Sequence, residues 1–177
     1  MSTPEQHDFL LREFSTLTLA GTVQRSGLYK AKTTEKDRKP FQDSLRGILE
    51  EMAGNYVNSV TEEVHVANIE QLAKRLTEKH PDILADGGMR IGLAQKALNL
   101  YLKYLWCLGE IPEPPHCPID AIVLGKVKGC ETVRWTRMKT IEEYCDVIAK
   151  VKVAAADHSL AQWELTLWNV HRPVAND

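Results

Sequence analysis

Residues 90–127, RIGLAQKALNLYLKYLWCLGEIPEPPHCPIDAIVLGKV, decide the fold of this chain. After Gly92, the residues Ala97, Leu98, Leu100, Tyr101, Leu102, Tyr104, Leu105 and Trp106 are apolar on most faces of a helix, so the helix belongs in a core. Its polar residues then need a reason. Gln95, Asn99 and Lys103 recur every four residues, with Lys96 beside the first, which puts them on one narrow wet or hydrogen-bonded stripe of a buried cylinder. Gly109 ends the helix, and Pro112, Pro114, Pro115 and Pro118 give the next loop a defined path through their fixed φ angles. That path delivers Asp120 to the mouth of a short helix, Asp120 to about Val127.

Outward from this stretch the chain reads as more helices. Thr3-Pro4-Glu5-Gln6 has the form of a capping box, and Phe9, Leu10 and Phe14 give a docking helix over residues 1–14 its apolar face. Residues 15–33, rich in Thr, Ser and Gly, show no period and read as a connector. Phe41, Leu45, Ile48, Leu49, Met52 and Tyr56 form a helical stripe opened by Pro40. Asn68 and Gln71 resemble a capping box, with a turn from Val64 and Val66 ahead of it, and His80-Pro81 must end that helix. Gly87-Gly88 then bends the chain into the central helix. Thr132 to Thr136 alternates and predicts a short strand or extended arm. Thr140 with Glu143, and Ser159 with Gln162, open two last helices, whose inward residues are Ile141, Tyr144, Cys145, Ile148, Leu160, Trp163, Leu167 and Val170. The tail Arg172–Asp177 is expected to fray. There is no βαβ alternation and no internal repeat, so the expected fold is all-α: a single compact multi-helix domain over residues 1–177, with a proline-rich active-site loop.

Composition sets bounds. The chain has 177 residues, 44% hydrophobic and 26% charged, enough for one good core. No run approaches the roughly 18 apolar residues of a membrane span, and the polar, acidic N-terminus lacks a signal pattern, so no membrane contact and a cytoplasmic location are expected. Cys107, Cys117, Cys130 and Cys145 are too few for a disulfide scaffold and are expected to be free thiols. Cys107, His116, Cys117 and Cys130 match no common zinc or iron–sulfur spacing, so no metal and no cofactor are expected. Net charge is −2, yet residues 90–139 hold eight Lys or Arg against four Asp or Glu, a basic segment suited to phosphates.

Phosphate-binding, zincin and hydrolase-elbow motifs are absent. One resemblance stands. A glycine-containing turn, Gly92-Leu93-Ala94-Gln95-Lys96, opens a long helix, and after a loop Pro118-Ile119-Asp120 begins another. This resembles the active-site segment of the helix-hairpin-helix DNA glycosylase superfamily, with its Gly-x-Gly-x-Lys turn followed by Pro-x-Asp. Here the second glycine is Ala94 and residues before the turn are Met89-Arg90-Ile91. The resemblance implies DNA as partner, a Schiff-base lysine at Lys96 and a charge-stabilising aspartate at Asp120. Base excision needs a flipped nucleotide, a nucleophile for C1′ and a carboxylate beside the positive sugar. On this reading amides near Gly92 grip a phosphate, Gln95, Asn99, Lys103 and His116 contact the ligand, Arg134 and Arg137 hold the strand, and Trp106, Tyr104 or Trp135 stacks on a base. The alternative is a non-enzymatic helical module that binds nucleic acid or a protein partner through the loop 110–118, with His116 exposed on it.

Overall fold

A computed structural model describes residues 3–24 and 26–171. Met1, Ser2 and the tail 172–177 lie outside that range, so the expected fraying falls there too. Among the described residues are seven α-helices: α1 (Pro4–Val23), α2 (Glu35–Ala53), α3 (Glu62–Lys79), α4 (Ile91–Leu108), α5 (Ala121–Leu124), α6 (Ile141–Ala155) and α7 (Leu160–His171). Short 3-10 turns at Gly54–Tyr56, Ala85–Gly87 and Trp135–Arg137 complete the helical structure. No described helix is long and apolar enough to cross a membrane.

The central helix is as buried as its composition requires. Leu93, Ala94, Ala97, Leu98 and Leu102 are wholly enclosed, and α1, α2, α3, α6 and the Trp135–Arg137 turn all touch α4. Gly109 stops it in the left-handed region at φ 86°, where a glycine has no Cβ to clash. Gly92 is needed for another reason: an added Cβ would lie 1.7 Å from the Trp135 carbonyl oxygen. The Trp135 turn therefore rests directly on the start of α4, and the Gly92 amide donates to Met138 O at 3.0 Å.

Several boundaries differ from the sequence expectation. Residues 15–23 continue α1 instead of forming a connector, because its buried residues there are Ser15, Thr18 and Thr22, hydroxyl side chains that carry no hydrophobic period. Helix α2 opens at Thr34, whose capping box with Asp37 outweighs Pro40; that proline sits inside the helix. Helix α3 opens at Thr61, and Asn68 lies mid-helix as a buried hydrogen-bonding residue rather than a cap. The Thr132–Thr136 segment is no strand: Trp135–Arg137 forms a 3-10 turn. The helix after Asp120 ends at Leu124, since Gly125 already caps it. Phe9, Cys145 and Val170 are exposed, not inward. The Thr140–Glu143 capping box forms as expected, and all four cysteines are free.

Candidate active site

Two adjacent pairs join α4 to the end of the proline loop. Gln95 Oε1 accepts from the Ile119 amide at 3.1 Å, and its Nε2 donates to Ile119 O at 2.7 Å and to Gly92 O at 2.9 Å. The neighbouring Lys96 Nζ donates to Asp120 Oδ2 at 2.7 Å. Gln95 thus fixes the backbone that presents the aspartate, and Lys96 fixes its side chain. The other oxygen, Asp120 Oδ1, accepts from the Ile122 and Val123 amides at 3.0 and 3.1 Å, so the same carboxylate caps α5. An N-cap and a counter-ion are one residue here.

The pair is set in the wall of a cleft of about 660 Å³, within the usual range for a small-molecule site. Residues of α1 (Leu17, Ala20, Gly21, Gln24) form one side. Leu100, Lys103 and Tyr104 of α4, Ala121 and Ile122 of α5, and Trp135 form others. Glu164 and Trp168 of α7 close it. Phe14 stacks on Tyr104 with ring centroids 5.0 Å apart and so steadies that wall. A second cavity, of about 770 Å³, shares Ala20 and Gln24 with this cleft and is lined by Arg38 and Arg46 but by neither member of the Lys96–Asp120 pair.

A second ion pair faces the same cleft. Lys103 Nζ donates to Glu164 Oε2 at 2.6 Å and lies 5.1 Å from the centroid of the Trp168 ring. Both partners are buried. Burial pushes the Glu164 carboxyl above its ordinary range, against the opposing pull of Lys103. Neither Glu164 nor Trp168 was singled out from the sequence. The signal was present: an acid four residues after Leu160, on the stripe that buries Leu160 and Ala161, is a charge where an apolar residue belongs.

Other candidate residues lie elsewhere. Asn99 belongs to a neutral buried network: Asn68 Nδ2 donates to the Tyr56 hydroxyl, which lies 2.8 Å from His65 Nδ1, and His65 Nε2 lies 2.9 Å from Asn99 Oδ1. Asn99 Nδ2 donates to the Tyr144 hydroxyl at 3.2 Å, and that hydroxyl lies 2.8 Å from His116 Nδ1. The pattern is consistent if both imidazoles are neutral and carry their proton on Nε2. His116 is therefore buried, at 1% exposure, and not displayed on the loop; its Nε2 lies 3.3 Å from Glu62 outside hydrogen-bonding geometry. Burial pulls His65 down to about 3 and lowers His116 as well. Pro114, Cys117 and Pro118 are buried with His116, so much of the loop 110–118 faces the core. The Gly92 amide is occupied by Met138 O and is not open to a phosphate. Trp106 packs against the core outside the cleft lining. Arg134 and Arg137 are exposed and line a separate groove with Glu143, Asp146 and Lys150. Among the described residues no group of His, Cys, Asp and Glu could hold a metal.

Comparison with family models, curated proteins and solved structures finds no match.

Proposed function

We propose that the protein excises a base from DNA, with Lys96 as nucleophile toward the sugar C1′ and Asp120 as the carboxylate that stabilises the sugar's developing charge. The observation that carries this reading is the 2.7 Å Lys96–Asp120 contact in the wall of an aromatic-lined cleft, between residues 24 apart in sequence. At rest Lys96 holds its proton in the pair. As the C1′–N bond breaks, the base leaves with the bonding electrons and takes that proton. The neutral amine then bonds to C1′ while Asp120 stays anionic beside it. The nitrogen loses a further proton, the C1′–O4′ bond opens with protonation of the oxygen, and an iminium links Lys96 to the sugar.

The segment that carries Trp135 supports a strand-binding role. Lys126, Lys128, Arg134, Arg137 and Lys139 are exposed on it against Glu131, which suits phosphate contacts. Binding through the loop 110–118 has less support, because His116 and much of that loop face inward.

The test is borohydride trapping on oligonucleotides carrying modified bases or abasic sites. The wild-type protein is expected to give a stable adduct, and Lys96→Ala none. Asp120→Asn is expected to bind DNA without excision. A wild-type protein that binds DNA yet yields neither adduct nor excised base across a broad lesion panel would overturn the reading.

A further inference from the structure

The Lys103–Glu164 pair has no evident stabilising purpose. Removing two charges from water costs more than a single contact commonly returns, and apolar residues of similar volume in such a place are often neutral or stabilising. Yet this pair is buried at a cleft wall, with the carboxyl pushed up by burial and the ammonium beside the Trp168 ring. Charged groups in such an environment are characteristic of ligand sites. Each partner also has bonding capacity beyond the mutual contact, since an ammonium has three donors and a carboxylate several lone pairs.

Spacing assigns the ligand. Lys96 and Lys103 are seven residues apart on α4, a rise of about 10 Å, with side chains reaching into one cleft. That is the length scale of a nucleoside. With the sugar at Lys96–Asp120, the heterocycle comes to Lys103–Glu164, in the part of the cleft that Tyr104 and Trp168 line. We infer that Lys103 and Glu164 read the edge of an uncharged nucleobase, the ammonium donating to a ring carbonyl and the carboxylate accepting from the neighbouring ring N–H. This deepens the proposed function and rests on it for the placement of the sugar. The 2.6 Å between the two charged atoms matches neighbouring polar atoms on one edge of a base. An N-methyl group in place of the ring hydrogen would remove the donor and push a methyl against a buried carboxylate.

Binding of inosine and uridine is compared with that of 1-methylinosine and 3-methyluridine, followed by tryptophan fluorescence and calorimetry. At least one parent nucleoside is expected to bind about ten- to a hundredfold more tightly than its methylated form, the factor for a hydrogen bond to a charged group. The double variant Lys103→Met/Glu164→Leu, which keeps volume and removes both charges, is expected to unfold at the wild-type midpoint or above and to lose the preference. The inference is overturned if parent and methylated nucleosides bind alike, if none binds at millimolar concentration, or if the folded double variant keeps the preference. A double variant that loses its fold transfers the test to Glu164→Gln, whose amide is a poorer acceptor; an unchanged preference there also overturns it. Failure of the chemistry is separable: a wild-type protein that distinguishes inosine from 1-methylinosine but forms no borohydride adduct keeps the base-reading pair and loses the Lys96 nucleophile.

Discussion

The polar stripe of α4 serves two regions of opposite character. Asn99, with His65, Tyr144, His116 and Tyr56, joins an enclosed network in which the donors and acceptors are neutral and each bond has a direction. Lys96 and Lys103, on the same helix, meet carboxylates at the wall of a cleft. Enclosure without charge is the economical way to satisfy buried polar groups, and it rigidifies the packing. Charge at a cleft wall is costly unless something else uses it. The contrast separates a neutral network enclosed between helices from charged pairs set at a cleft wall.

Asn99→Leu should be the most damaging change. It strips His65 Nε2 of its partner and takes one of two from Tyr144 and from Gln95 Oε1, which keep His116 Nδ1 and the Ile119 amide. With one to three kcal/mol for the stranded nitrogen and about one for each lost bond, the loss is about 4 kcal/mol. Urea unfolding reads it; a loss below about 1 kcal/mol would mean the network adds nothing and the two regions are not distinct. Leu102→Ala, at a wholly buried position of the same helix, should cost about 3 kcal/mol by the usual penalty for a large-to-small core change, visible as a lower melting temperature.

Acid should distinguish the regions by sign. His65 ionises near 3 in the folded chain against 6.5 for a free imidazole, mainly through burial and secondarily through His116. Above pH 6.5 neither state takes the proton, and stability is full. Below it the unfolded chain binds a proton that the native network refuses, so stability falls toward pH 3 by up to about 1.4 kcal/mol per unit. His116, lowered as well, steepens the fall. Glu164 runs the other way: its folded carboxyl is raised, so acid relieves its burial. A stability profile flat between pH 7 and 5 would contradict the neutral assignment of both imidazoles. Asp120→Asn should have the smallest effect on stability, about 1–2 kcal/mol, because the amide oxygen can still cap α5 while the charged contact to Lys96 is lost. Chemical unfolding alongside the adduct assay checks that stability and excision part company at this residue.

Much of this was legible along the chain. The burial of α4, its stop at Gly109, the Thr140–Glu143 box and the four-residue polar stripe are local patterns, set by helical period and backbone geometry within a few residues. The place of Asp120 at the mouth of α5 was legible from the proline loop. Lys96 was singled out beside it only through the resemblance of the two short motifs, and the structure brings the two side chains together. Other features had no local signature. The hydroxyl face of α1 hid its length from any hydrophobic pattern. Lys103 and Glu164 are 61 residues apart, and Asn99 and Tyr144 are 45 apart. A stripe of Gln, Asn and Lys announces that partners must exist, because unpaired buried polar groups are costly. Which partners they meet depends on how α3, α6 and α7 pack around α4, and so does the division of one stripe into an enclosed network and a charged cleft wall; only the tertiary structure decides that.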